Sequence, residues 1–320
     1  MTNWRASSGP NAAARREELL TRARHYFSTR NMLAVDGPAL SPYAVTDPNI
    51  DSFAARSVTG QDYFLRPSPE YWMKRLLADG YPDIYSICRV FRGGESGKRH
   101  IPEFTMAEWY RLGFELHDII EDTIGFIAAC LGESRLADNV AQYEYVGAFQ
   151  ELAGVNALED TVDQLARACN SDARLESEIG SDRSTWLDLI LSTIIAPQFA
   201  GDRLTVLLHF PASQACMARL CIDDQRVADR FEVFFGDLEI ANGYVELTDA
   251  EEQRLRFDQD LEVRRQAGRP VFPQDHRLLA ALDSGLPDCA GVAVGIERLQ
   301  MVLAKTDDIG DVVTFNPETS

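Results

Sequence analysis

The chain has 320 residues, 45% hydrophobic and 25% charged, an ordinary globular composition with enough apolar material for a sizeable core. Fifty acidic against 31 basic side chains give a formal net charge of −19, which argues against a protein whose main partner is nucleic acid, because phosphate binding needs clustered cations. Six scattered cysteines without a C-x-x-C pair, and five histidines without an H-E-x-x-H pattern, point to free thiols in a reducing cytoplasm and away from disulfide or zinc frameworks.

Residues 11–30 predict an amphipathic helix, with Leu19, Leu20, Ala23, Tyr26 and Phe27 at helical spacing. An extended stretch follows, in which Pro38 and Pro42 forbid a helix. Ser68-Pro69-Glu70 reads as a helix start with Ser68 as N-cap, and Trp72, Met73, Leu76 and Leu77 face inward until Gly80. Ile84 to Arg92 and Phe104 to Arg111 predict a long-looped antiparallel hairpin, whose second strand puts Phe104, Met106, Glu108 and Tyr110 on one face. From about 112 to 200 the chain reads as a helical insertion; its most apolar stretch, Trp186 to Ala200, carries Asp188 and Pro197 and is too short to span a membrane. Met1 to Pro10 lacks the apolar core of a signal peptide, so a soluble protein is expected. Strands return at Leu204–Phe210, Arg230–Phe235 and Leu238–Leu247. Thr248 to Glu251 predicts a capping box opening a helix to about Gly268. Gly291 to Arg298 is a small-residue strand running into a helix. The expected architecture is α+β, one continuous domain over residues 1–320.

Single motifs say little here. The loop R-G-G-E-S-G-K-R (92–99) is not a phosphate loop of the Walker type, because Arg99 follows Lys98 and a strand follows instead of a helix. Arg92 at a strand end facing Phe104 nevertheless pairs a five-donor cation with an aromatic face, a combination suited to a nucleotide. Glu239 and Glu246 flank A-N-G-Y; their odd separation places them on opposite faces of a regular strand unless Gly243 forms a bulge.

In combination, F-R-G-G-E (91–95), H-I-P-E-F-T-M-A-E-W-Y (100–110), E-I-A-N-G (239–243) and G-V-A-V-G-I-E-R (291–298) resemble the class II lysyl-tRNA synthetases in order and spacing. V-D-G-P (35–38) falls where that family has its proline-containing dimer motif. The stretches S-P-E-Y-W-M-K-R-L-L (68–77), H-F-P-A-S-Q-A (209–215), R-V-A-D-R-F-E-V (226–233) and G-L-P-D-C-A-G-V-A-V-G (285–295) are similar to the family's short paralogues, which join (R)-β-lysine to elongation factor P. The resemblance covers roughly residues 15–315. It implies a class II catalytic domain, an antiparallel sheet flanked by helices, with no anticodon-binding module.

The resemblance further implies ATP and Mg²⁺ as cofactors, an aminoacyl-adenylate intermediate, elongation factor P as protein substrate, a homodimer, and no role for tRNA. Arg92 would hold the α-phosphate and Arg298 the γ-phosphate as catalytic cations. Phe104 would stack on adenine, and Gly94, Glu95, His100, Ile101, Ile240 and Gly295 would complete the ATP site. Glu239 and Glu246 would take the metal. Ser68, Glu70, Tyr110, Asn242, Glu246 and Ala293 would line the amino-acid pocket, whose acids suit a substrate with two ammonium groups. Ala293 replaces the Gly of lysyl synthetases, as in the short ligases, and implies a β-amino over an α-amino substrate. Two departures stand out: the family's Arg-x-Glu becomes Arg92-Gly93-Gly94, and its His-Asn becomes His100-Ile101. Either Glu95 replaces the missing carboxylate or nucleotide binding is altered. An activating enzyme for another amino acid or carrier, and a non-catalytic sensor of amino acid or nucleotide, are the alternatives.

Overall fold

Leu19, Ala23 and Phe27 recur every four residues along α1 (Pro10–Thr29), and all three are buried. The structure, a computed structural model, describes residues 4–316. The apolar stripe of α1 packs with α3 (Leu116–Leu131) on one face of an eight-stranded sheet. There Phe27 stacks on Tyr85 at 4.2 Å and on Phe126 at 5.0 Å. Truncating so enclosed an aromatic to alanine costs about 3–5 kcal/mol. The cap of α3 is reciprocal: Glu115 and Asp118 side chains each accept a backbone N–H of the first turn, and Gly132 closes the helix at φ 72°.

In space the strands run β1 (Leu33–Ala34), β5 (Ile84–Phe91), β6 (Glu103–Leu112), β11 (Cys289–Gly295), β10 (Leu238–Val245), β9 (Arg230–Phe235), β8 (Leu204–Leu208) and β7 (Val140–Glu144). The two edge pairs, β1 with β5 and β7 with β8, are parallel, and the other pairs are antiparallel. A small sheet of β2 (Leu40–Ser41), β4 (Asp62–Leu65) and β3 (Ala54–Arg56) lies in the proline-rich segment. The fold is α+β.

The segment expected to be mostly helical contributes β7 to the sheet edge. A five-residue strand with no clean alternation of burial carries little period-2 signal. Around it, α4 (Tyr145–Ala153), α5 (Val162–Ala168), α6 (Ala173–Ile179) and α7 (Arg183–Ile190) gather a second core in which Tyr145, Phe149 and Trp186 meet Leu207 and Phe234. On the opposite, open face of the sheet lie α2 (Glu70–Ala78) and α9 (His276–Gly285). Met73 and Leu77 pack there with Leu278, Leu279 and Leu282.

Two caps differ from expectation by one residue. Pro69 is the boundary residue of α2, while the Ser68 hydroxyl accepts the Glu70 N–H at 2.9 Å. Asp249, not Thr248, caps α8 (Ala250–Gln266), its carboxylate accepting from Glu251 and Glu252. The final helix, α10 (Ile296–Ala304), starts directly at Gly295. That junction brings Arg298 back over the sheet.

Candidate active site

Strand β11 makes the floor. Gly291, Ala293 and Gly295 share its open face, opposite Tyr110, Glu108 and Met106 of β6. Asn242 of β10 flanks Ala293 on the other side. A Cβ at Gly291 would stand 2.5 Å from Tyr110 Cε1 and 2.6 Å from Glu246 Oε1, so only glycine fits. At Gly295 the nearest atom to such a Cβ is 3.6 Å away, on Arg298, so space alone does not demand glycine there.

A bulge lies in β10, but not at Gly243. The register with β9 slips between Glu239 and Ala241, whereas Gly243 pairs regularly with Phe231 and Val292. The slip turns Glu239 to the open face shared by Asn242, Tyr244 and Glu246. At ~3.3 Å per residue the two glutamates remain roughly 20 Å apart along the strand. One ion therefore cannot touch both, and Glu246 is not a metal partner of Glu239. The carboxylate near Glu239 is Glu232 of β9, which stands opposite Asn242. Burial, and next the charge of Glu239, push Glu232 up to about 8. Two carboxyls held this way are a hard oxygen set.

Arg92, Glu95, His100, Phe104, Glu239 and Arg298 converge at one end of the floor. Arg298 Nη1 is 3.0 Å from Glu239 Oε2, and its Nη2 meets His100 Nε2 at 2.8 Å. Arg92 lies 5.3 Å from the Phe104 ring centre and 3.6 Å from Glu95 Oε1. Burial works against the Glu239 charge, but Arg298 and Arg92 hold that carboxyl below its ordinary range. Burial and the Arg298 charge lower His100, so the ring stays neutral and accepts from the guanidinium. Gly94 sits at φ 77° with open space around it. Ile101 and Ile240 do not join by their side chains. Ile101 packs with Leu238 and Met301, and Ile240 is the bulge residue that turns into the main core, so either would reach a ligand only through backbone.

At the other end the chemistry is acidic and enclosed. Met73 and Leu77 pin α2 over the sheet, and the same inner face carries Glu70 and Lys74 one turn apart. Lys74 is fully buried. Its ammonium lies 2.7 Å from Glu70 Oε1 and 2.5 Å from Glu246 Oε2. Although burial opposes its charge, Glu246 and Glu70 raise Lys74 above its usual range. Tyr244 donates its hydroxyl to Glu70, and Tyr110 donates to Glu108 Oε1 at 2.8 Å. Burial and the Glu70 charge push Glu108 up to about 8, with the Tyr110 and Ser68 hydroxyls pulling the other way. Glu108 Oε2 is buried without a hydrogen bond, and so is Glu246 Oε1 above Gly291. Asn242 Oδ1 accepts from Arg230 at 3.2 Å, and Arg230 in turn pairs with Glu232 at 2.6 Å.

Sequence reasoning missed Lys74, Glu108, Glu232 and Arg230. Glu108 had a signal, since alternation already put it between Phe104 and Tyr110. Lys74 had a weaker one, its i,i+4 relation to Glu70. Nothing local marks Glu232 or Arg230.

An eight-stranded sheet with arginines at one end of its open face and buried acids at the other fits the synthetase-like class of ligases. Residues 2–319 match the family described as tRNA synthetases class II (D, K and N), and the chain belongs to that family. Within it, the chain is 40% identical to an elongation factor P–(R)-β-lysine ligase of Histophilus somni, over 98% of this chain and 97% of that one. Ligases of the same name from Klebsiella pneumoniae and Haemophilus influenzae are 39% and 38% identical, each over 98% of this chain and 97% and 98% of theirs. The chain is a ligase. Among the described residues no helix is long and apolar enough to cross a membrane.

Proposed function

We propose that this ligase uses ATP and Mg²⁺ to activate (R)-β-lysine, or lysine, and passes it to a lysine side chain of elongation factor P. The substrate carboxylate attacks the α-phosphorus and pyrophosphate leaves; the acceptor amine then attacks the acyl carbon and AMP leaves. Arg92 and Arg298 neutralise phosphate charge in a preorganised way, and Phe104 offers the adenine a stacking face. Glu232 and Glu239 fit as oxygen ligands for Mg²⁺, which supplies further charge neutralisation on the phosphates.

One observation carries the amino-acid assignment. Glu108 Oε2 and Glu246 Oε1 are buried acceptors without partners, and an unpaired buried polar group is costly unless a ligand satisfies it. Two such oxygens suit two ammonium groups. Ala293, between Glu108 and Asn242, puts a methyl on the floor there. The names of the relatives favour the β-amino substrate and the protein acceptor, and the net charge of −19 disfavours tRNA. The V-D-G-P segment (35–38), which resembles the family's dimer motif, is the ground for a homodimer.

ATP–pyrophosphate exchange over a panel of amino acids tests activation, and intact mass of purified elongation factor P tests transfer. The expected result is strongest exchange with (R)-β-lysine and one added β-lysyl group per factor molecule. Exchange without any mass gain would leave an activating enzyme with another acceptor. No exchange with any diamino acid would overturn the reading.

A further inference from the structure

Away from the floor residues, the chain between β8 and β9 closes a cluster that adenylation does not use. His209, Cys221 and Asp229 bring an imidazole nitrogen, a thiol sulfur and a carboxylate oxygen within 4.8 Å of one another. They are 12 and 8 positions apart in sequence, which no metal-binding spacing pattern reveals. Backbone bonds fix the three points: His209 N–H to the Arg230 carbonyl at 2.9 Å, Cys221 N–H to Val227 at 2.9 Å, and Asp229 N–H to Arg219 at 3.0 Å. His209 is held at φ 58°, a left-handed conformation that L side chains adopt only at a cost.

The outer partners orient the ligand atoms. His209 Nδ1 lies 2.7 Å from Glu144 Oε2, and Asp229 Oδ2 accepts from Arg219 Nε at 2.7 Å. That leaves His209 Nε2 facing Asp229 Oδ1 at 3.7 Å, too far for a hydrogen bond. With Nδ1 donating to Glu144, Nε2 is the ring nitrogen left facing the Asp229 carboxylate, and a cation bound between them takes the place of the proton that the two carboxylates favour there. A carboxylate on the second ring nitrogen is the usual outer support of a metal-bound histidine.

We propose that His209 Nε2, Cys221 Sγ and Asp229 Oδ1 bind a divalent ion of the zinc class, with water in the fourth position. A neutral imidazole, a thiolate and a carboxylate neutralise a dication, and this borderline donor set suits zinc over magnesium or calcium. The thiol proton is released on binding. The bound ion ties the ends of the 209–229 loop, and the next residue is Arg230, which reaches Asn242 and Glu232 in the pocket wall. The ion is therefore a clip on that wall.

Co²⁺ serves as the probe, added to chelator-treated, dialysed full-length protein and followed by Zn²⁺. The expected result is one Co²⁺ per chain with a thiolate charge-transfer band, displaced by Zn²⁺, and a melting temperature raised by zinc. Cys221→Ser should abolish the band while keeping the native circular dichroism. Glu144→Gln, outside the ligand set, should weaken binding by about 10- to 100-fold. Absence of the band in the unaltered protein would overturn the proposal and leave a protonated His209 bridging Glu144 and Asp229. Persistence of the band in Cys221→Ser would overturn it as well, by placing the ion on another thiol.

Discussion

The two ends of the β11 floor solve opposite electrostatic problems. At the nucleotide end Arg92, Arg298 and the neutral His100 surround Glu239, and the groups neutralise one another over short distances while staying partly open. At the amino-acid end Glu70, Glu108 and Glu246 crowd into a buried volume with the single cation Lys74 among the acids described there. Open, self-neutralised cations receive a polyanion with little desolvation to overcome. Enclosed acids with unpartnered oxygens stay costly to ionise until a cation arrives. The first arrangement favours charge stabilisation during reaction, and the second favours selection of what reacts.

The contrast breaks most severely at Lys74. Removing one partner of a buried ion pair costs about 3–5 kcal/mol, because the remaining charges stay buried. Lys74→Met should therefore lower the melting temperature by roughly ten degrees at pH 7. Glu246, whose carboxyl burial pushes up to about 8, can escape the penalty by taking a proton, so the deficit should be largest above pH 8 and shrink as the pH falls through that value. A melting curve equal to the parent at pH 7 would show that the two acids are not jointly held by this ammonium.

At the nucleotide end the expected effect is on rate and not on stability. Arg92→Ala and Arg298→Ala should each depress adenylate formation by at least ~100-fold, the usual loss for a preorganised donor to developing charge. Pyrophosphate exchange measures it. Near-normal exchange in either variant would mean that the phosphates lie elsewhere.

How well each end could be read from the sequence follows from the same difference. Arg92, Phe104, Glu239 and Arg298 lie in contiguous motifs at strand ends and a helix start, where spacing and residue type suffice. Lys74 reads as an ordinary solvated lysine on an amphipathic helix, and only Glu246, arriving from the far part of the chain, makes it a buried counter-ion. The pairing of Glu239 with Glu232 depended on a bulge, and the sequence pointed to Gly243 for it. A glycine there answers a different need, since a Cβ would stand 2.7 Å from the Phe231 ring. The central strands themselves were legible from their apolar runs, though not their order in the sheet, whereas β7, short and half-buried, did not announce itself.

Proton linkage sharpens the comparison. Free Glu108 is protonated up to about pH 8, because burial and then the Glu70 charge raise it. An ammonium ligand requires the carboxylate, so binding below pH 8 releases a proton. Affinity for a diamino acid should rise with pH, by up to tenfold per unit, and level off above about 8. For the unliganded fold the sign is reversed. The stabilisation from holding that proton is complete below the ordinary glutamate range and is lost as pH rises through about 8. Glu108→Gln should make both profiles less steep, leaving the part contributed by Glu246, whose carboxyl burial also pushes up to about 8. A pH-independent affinity in the parent protein would remove Glu108 from ammonium binding.

The smallest expected effect concerns Gly94 and Glu95, where the loop departs from the Arg-x-Glu of the lysyl synthetases. A Cβ at position 94 would meet no atom within 4 Å, so crowding at the backbone is not the obstacle. The obstacle is backbone: φ is 77°, and an L residue there costs roughly 1–2 kcal/mol. The adenine hydrogen bond that a glutamate would regain is worth about 0.5–1.5 kcal/mol. The two effects cancel, so Gly94→Glu should not tighten ATP. Glu95 follows the turn made by Gly94, and its carboxylate already lies 3.6 Å from Arg92 and within the field of His100. Glu95→Ala should weaken ATP by a few-fold to about tenfold and blunt discrimination against GTP. ATP and GTP affinities of both variants decide the matter. Tighter ATP in Gly94→Glu with no loss in Glu95→Ala would show that the loop lacks an adenine-reading carboxylate and that Glu95 serves only as a partner to Arg92.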